Sequence, residues 1–546
     1  MEIAIESTNT RGRYQSFIWV QIFLLPFTTL IITAGYAFLT KPPSLYCKPK
    51  LSSSSYSPCE YSLYCSHKED FDIILDKEHS ISNFAFYYDL YCERGIYSSM
   101  LSSAYFTGCI VGVFIWGALP DIYGRYPVYK WLLYLNVFSQ INYLFCFNIY
   151  HLIFTSFLSG TSTYVLNMQN FLVIEFFDRN IASIAMSVMN ASYGLVGITL
   201  GLYFLTINSL KLFLYLNFAF VLICLYLTLN FMVESPRWLN AKNRVQEAIE
   251  ALKTMALINN SIDTFNLFLE ENKELLRATK ETVKKIDKNY TLIEIFKLKS
   301  QRKTLLGVMY VFFIIAICFY GIFITLNQSN DNFYINSFLV FIGEMIAELG
   351  SGYLVNIYGR VTITVISCHM GGIAFILSYL LQKGTIRTLL LFISSFGVAA
   401  ALNIMYIYTN EVFPLSIRAL TFGFLYLVSR FGGVFVPFFI SNQYYPLVLG
   451  GMTMSCGFVF SYMKETLGET LEDDVPEAIR EYTFLSSFKA RSGIIDKVKM
   501  FSFYGSSFAS SKRKGELLSN SMRLNINDMN EYFKIDPSTR TEMKYV

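Results

Sequence analysis

Four ionisable side chains stand where the surrounding sequence is apolar: Glu344 and Glu348 in one run, His369 in the next, and Arg430 in the stretch VSRFGGVFVPF. A charge at the centre of a bilayer-spanning helix costs about 2.5 to 3.5 kcal/mol on insertion scales, so such groups face a cavity or a partner. Arg430 presents a guanidinium fork suited to a carboxylate. Gly432, Gly433 and Pro437 beside it would let the helix pack closely or bend. Glu344, with Glu348 one turn away, would meet an ammonium or take up a proton. At 1.5 Å per residue, Glu344 and Arg430 each lie about 16 Å into their expected helices, so both signs would share one cavity and suit a zwitterion. Tyr36, Tyr193 and Tyr320 are the expected aromatic walls, with Asn190 beside them. The competing reading is a buried bridge from Arg430 to Glu344 or Glu348; His369 is expected to be a packing residue.

Such side chains need long apolar helices to hold them, and the composition supplies these. Of 546 residues, 53% are hydrophobic and 15% charged, with a mean hydropathy of +0.41, which does not suit a water-facing surface. Twelve runs near 20 residues are each long enough to cross a hydrocarbon core of about 30 Å: 17–39, 97–119, 128–147, 152–174, 183–207, 212–233, 304–326, 333–355, 361–381, 388–409, 419–441 and 444–463. The alternating signal of an outer-membrane barrel is absent. These runs predict an N-terminal segment 1–16, a six-helix bundle 17–233 interrupted by a loop 40–96, a linker 234–303, a second bundle 304–463, and a polar tail 464–546, mostly disordered. Helical spacing predicts an amphipathic helix over Val245 to Ala256 in the linker.

Lys and Arg collect in the linker (Arg237, Lys242, Arg244, Lys284, Lys285 and others) and in the tail, so that side and both termini are expected to be cytoplasmic. Glu2, Glu6, Arg11 and Arg13 precede an apolar run without a small-residue cleavage site, which predicts a retained first helix rather than a signal peptide. The loop 40–96 would then lie outside, where Cys47, Cys59, Cys65 and Cys92 form an even set suited to two disulfides, with three connectivities open. A net charge of +4 without a basic stripe argues against a nucleic-acid partner. Four histidines (67, 79, 151, 369) in no ligand spacing point to no metal, and the absence of a GxxxxGK[ST] loop argues against an ATP-driven pump.

The chain also repeats itself. GALPDIYGR (Gly117 to Arg125) is echoed by GYLVNIYGR (Gly352 to Arg360) 235 residues later; Glu175 is echoed by Glu411 at 236, and Glu234 by Glu465 at 231. Three near-equal offsets imply duplication, and a six-plus-six parallel repeat is the architecture that places a binding site near the midplane between halves. Arg125 would bridge to Glu175 and Glu234, and Arg360 to Glu411 and Glu465, latching one mouth; Asp121 and Arg418 join this gating set.

With those features in place the chain resembles the organic cation/anion/zwitterion transporter family of the major facilitator superfamily. The resemblance rests on the Cys-containing loop, GALPDIYGR, ESPRWL (Glu234 to Leu239), YTLIEIF (Tyr290 to Phe296), YTNEVFPLSIR (Tyr408 to Arg418) and KETLGETLED (Lys464 to Asp473), and covers roughly 17 to 473. The family's turn usually reads D-R-x-G-R, whereas Ile122 replaces the first Arg and Asn356 the second Asp; the sequon expected in the loop is missing, and Asn327 heads the one sequon assigned to the outside. The resemblance implies that Arg at the Arg430 position marks anion and carnitine-type carriers, and Asp there cation carriers. The expected activity is alternating-access carriage of small organic anions or zwitterions across a plasma membrane, with no cofactor and no covalent step, and with sodium or proton coupling open. An organic cation or sugar-type carrier, or a non-transporting receptor on the same scaffold, are the alternatives.

Overall fold

The computed structural model describes residues 2–467 apart from 10, 31–32, 51–55, 60–63, 66–69, 77–79, 178, 243, 272–295, 297–298, 328–332, 382–384, 414 and 437–443. The chain is an all-α membrane protein of twelve crossings in two six-helix halves. The first half comprises Arg13–Thr29 continued by Tyr36–Leu39, then Gly95–Trp116, Arg125–Leu144, Ile149–Ser162 continued by Tyr164–Phe176, Arg179–Thr206 and Leu210–Phe231. The second comprises Lys299–Asn327, Phe333–Tyr358, Arg360–Leu380, Thr385–Val412, Leu415–Phe435 and Tyr445–Phe460.

Among the described residues seven helices are individually long and apolar enough to span a bilayer. Two of the others, the first and the fourth, have a local cause for falling short. Pro26 sits inside the first crossing and removes a backbone donor, and the helix resumes only after Gly35. In the fourth crossing the Thr163 hydroxyl bonds back to the Ser159 carbonyl at 2.9 Å, where the helix divides. The eleventh begins at Leu415, earlier than expected, which puts Arg430 about 22 Å from its start rather than about 16 Å.

The loop between the first two crossings adds a three-stranded antiparallel sheet to the helical expectation, in the order β2 (Ser57–Cys59), β1 (Leu45–Pro49), β3 (Phe71–Leu75). Of the three open connectivities the chain adopts Cys47–Cys59 and Cys65–Cys92, with Cα separations of 5.7 and 5.3 Å. On the opposite face the linker forms Pro236–Ala241, Val245–Ile258 and Ile262–Glu271. Asn259 fastens them to the N-terminal segment: its amide donates to the Thr8 and Asn9 carbonyls at 2.8 and 3.0 Å, and its carbonyl accepts the Tyr14 N–H at 2.8 Å.

The largest apolar core straddles both halves, and on the side of the disulfide loop its rings meet across them. Phe38 of the first crossing meets Phe333 and Phe341 of the eighth at ring separations of 5.2 and 6.3 Å, and stacks on Phe204 of the fifth at 6.2 Å. Ser103 of the second crossing donates to the Val434 carbonyl of the eleventh at 2.9 Å. The halves are therefore closed against each other on the loop side.

Candidate substrate site

Helical geometry places Tyr426 one turn before Arg430, and the pair is the centre of the site. Arg430 Nη2 donates to the Tyr426 hydroxyl at 2.6 Å, and the guanidinium lies 4.3 Å from that ring's centroid. Nη1 donates to the hydroxyl of Tyr320 on the seventh crossing. Tyr320 in turn packs on Phe106 of the second crossing at 4.5 Å, so the site lies between the halves. Arg430 Nε has no partner, and the side chain is only partly buried. A guanidinium carries five donors; two tyrosine hydroxyls and two ring faces stabilise the charge and leave donors for a ligand.

Neither Glu344 nor Glu348 pairs with Arg430, so the buried bridge does not form. Glu344 is fully buried with both carboxylate oxygens unpartnered, and Glu348 is 7% exposed with Oε2 unpartnered. Tyr193, from the fifth crossing, lies within electrostatic reach of both Tyr320 and Glu344, and its ring is 5.2 Å from Phe319. Tyr406 likewise reaches Arg430 on one side and Glu348 on the other. Asn190 crosses between halves: its amide donates to Asn403 Oδ1 at 3.1 Å, while Asn403 donates to the Glu348 carbonyl at 3.0 Å and to Ser351 Oγ at 2.9 Å. Tyr36 stands apart, buried near the loop side with Thr40 and Tyr445 as its neighbours. The sequence expectation missed Tyr426, Tyr406 and Asn403. Tyr426 had a signal, the four-residue spacing to Arg430, but it is one of 39 tyrosines.

His369 accepts the packing role expected of it: Nδ1 meets the Val365 carbonyl at 2.8 Å and the ring stands edge-on to Phe458. The side chain of Arg418, Pro437, the tail beyond 467, Lys284 and Lys285, most of Tyr290 to Phe296 and the Asn327 sequon lie outside the described residues.

The two turns have the same internal geometry. Gly124 and Gly359 adopt φ of +107° and +91°, a region closed to other L-residues, and each caps the start of the next crossing. Arg125 Nε pairs with Glu175 at 3.2 Å and Nη1 with Asp121 at 2.6 Å; Arg360 Nη2 pairs with Glu411 at 2.7 Å and with Asn356 Oδ1 at 3.3 Å. Glu234 and Glu465 do something else. Glu234 accepts the backbone N–H groups of Arg125 and Tyr126 at 2.9 and 3.1 Å, and Glu465 those of Arg360 and Val361 at 2.8 and 3.0 Å. The expected bridge from Arg125 to Glu234 is thus replaced by a carboxylate on a helix N-terminus, where unsatisfied donors and the helix dipole favour an anion; the same correction applies to Arg360 and Glu465. Each ion pair stays within its own half.

Residues 81–437 match the Major Facilitator Superfamily. Organic cation/carnitine transporter 2 of Mus musculus is 24% identical over 425 residues, covering 74% of this chain and 73% of that one. Solute carrier family 22 member 15 of Xenopus tropicalis is 27% identical over 405 residues, covering 69% and 72%. Among solved structures, the inward open conformation of the xylose transporter XylE from E. coli shares the fold at a TM-score of 0.58 and 14% identity, covering 84% of this chain and 98% of that one. The human organic anion transporter MFSD10 shares it at 0.54 and 14%, covering 82% and 100%. The chain belongs to the major facilitator superfamily, and its curated relatives include organic ion transporters. It is a multi-pass membrane transport protein and not an enzyme.

Proposed function

We propose that the chain carries small organic anions or zwitterions, carnitine-like compounds foremost, by alternating access in a plasma membrane with both termini cytoplasmic. One observation carries the reading: Arg430 sits between the halves with tyrosine hydroxyls for partners and no carboxylate partner among the described residues. A ligand carboxylate would supply the missing counter-charge, and the faces of Tyr320 and Tyr426 would flank it. The relatives named for organic cation/carnitine and organic anion transport favour this class. Glu344, beyond Tyr193, gives the site an acidic group that a cationic head can approach, with Asn190 at the neighbouring turn. In this reading Asp121, Arg125, Glu175 and Glu234 stiffen one half, and Arg360, Glu411 and Glu465 the other, so that the halves rock as units; Arg418 belongs to the same set by position. The paired disulfides hold the loop outside.

A cation-carrier reading has its own support in the unpartnered Glu344 and Glu348. Uptake of labelled carnitine, glutarate and tetraethylammonium into vesicles separates the two. The account predicts that Arg430→Ala lowers carnitine and glutarate uptake at least about tenfold, the loss expected when one partner of a buried charge pair is removed. Tetraethylammonium uptake lost in Glu344→Gln and untouched in Arg430→Ala would favour the cation carrier.

A further inference from the structure

Glu344 and Glu348 lie one helical turn apart on the eighth crossing, about 16 Å and 22 Å from its loop-side start. Glu344 has no hydrogen-bond partner on either oxygen and Glu348 none on Oε2, and neither forms an ion pair with a cation among the described residues. The ionisable groups around them are Tyr193 of the fifth crossing and Tyr406 of the tenth, with Tyr320 and Arg430 behind those rings. On the ninth crossing His369 turns to Phe458 of the twelfth. Two carboxylates one turn apart, without an ion-pair partner and almost wholly buried, repel each other, and burial penalises the charged form of each, most strongly that of Glu344. Protonation removes the charge and turns an acceptor-only group into a donor.

We infer that Glu344 and Glu348 form the coupling site of the carrier and that its ligand is a proton, taken from the aqueous side to which the site opens and released on the other. The chemistry is a carboxylate binding one proton to give a carboxylic acid, reversibly. The pair is also wired to the other half, because Asn403 joins the Glu348 carbonyl to Asn190. A change of charge on the pair therefore falls beside a hydrogen bond that spans the moving interface. Co-carriage of a proton with a monocarboxylate anion is electroneutral, whereas with a zwitterion such as carnitine it moves one positive charge, so the gradient test on carnitine is run with the membrane potential held at zero.

The inference rests on the transport reading only for its second test. The first uses the full-length protein in phosphatidylcholine liposomes without substrate, and compares the infrared carbonyl stretch of protonated carboxyl groups at neutral pH between wild type and the Glu344→Gln, Glu348→Gln and double variants. Gln mimics the protonated acid in shape and charge, so the variants should fold; size-exclusion chromatography checks this. A protonated-carboxyl band that shrinks in the single variants and goes in the double variant supports the proposal, and a spectrum unchanged by the double variant overturns it. In the second test, labelled carnitine is the probe. A one-unit inward proton gradient should raise accumulation up to about tenfold, the limit for one proton per substrate, and Glu348→Gln should abolish that dependence. Accumulation driven by sodium at equal pH, or a gradient response intact in Glu348→Gln, overturns it. Absence of carnitine movement with the band present and Gln-sensitive would sink the substrate reading and leave the proton site standing.

Discussion

A guanidinium inside a membrane protein is stable only where the groups around it replace water, and Arg430 is held by two phenols and their ring faces. Each stacked contact contributes about 0.5 to 2 kcal/mol, well short of what a carboxylate partner supplies to a desolvated charge. In the proposed function the residue awaits an anion. Tyr426→Phe keeps the face and loses the hydroxyl, and should weaken uptake of carnitine a few-fold, whereas Tyr426→Ala loses both and should cost at least about tenfold, in line with about 1.4 kcal/mol or more; equal effects from the two would mean that the ring face contributes nothing. Lys41, just past the first crossing, offers a test by pH. Its ammonium lies 3.6 Å above the Phe333 ring, and burial holds it down to about 8. An amine whose folded value is depressed below the unfolded value near 10.4 binds fewer protons folded than unfolded between those limits, so its burial penalty is fully present below pH 8 and fades as pH rises. The thermal-stability advantage of Lys41→Met over wild type should accordingly shrink between pH 7 and pH 10. An advantage that grows over that range would mean that the contact with Phe333 outweighs burial.

At the scale of elements, the duplicated turns explain why two glycines and two glutamates recur at matched positions. The positive φ of Gly124 and Gly359 turns the chain so that the next helix presents its first N–H groups to Glu234 and Glu465. A side chain on either glycine would overlap that glutamate as well as strain the backbone. Gly359→Ala should therefore destabilise the second half by about 1 to 3 kcal/mol, seen as a lower unfolding midpoint in detergent; an unchanged midpoint would remove the turn from the account. The offsets between the copies made the repeat legible in the sequence, and the residue types made the Arg–Glu pairs legible too. The role of Glu234 and Glu465 was not, because a glutamate distant in sequence gives no sign of whether it faces a side chain or a backbone donor. The crossings themselves were legible from apolar run length, while the division at Thr163 and the sheet in the disulfide loop depend on local hydrogen bonds that run length does not record.

At the scale of the whole molecule, the loop side is closed by rings from both halves, and transport requires that contact to open. Tyr320 was among the tyrosines expected at the site, and Tyr426 was within reach through its four-residue spacing to Arg430. Which expected tyrosine meets the guanidinium was illegible: Tyr320 and Arg430 belong to crossings far apart in sequence, and Tyr36, an equally good choice by composition, ends elsewhere. With Phe38 and Phe333 replaced by cysteine, a short bifunctional thiol reagent should hold the loop side shut and cut uptake at least about tenfold, an effect of the order of a barrier raised by 1.4 kcal/mol. Unimpaired uptake after cross-linking would mean that this contact never opens. The central claim, that Arg430 receives a carboxylate, is tested most directly by equilibrium binding of carnitine and of its methyl ester to the purified protein, in wild type and in Arg430→Ala. The account predicts that wild type prefers the acid by about thirtyfold or more, a difference of about 2 kcal/mol, and that the preference disappears in the variant. An acid-to-ester preference of the same size in both proteins would contradict it.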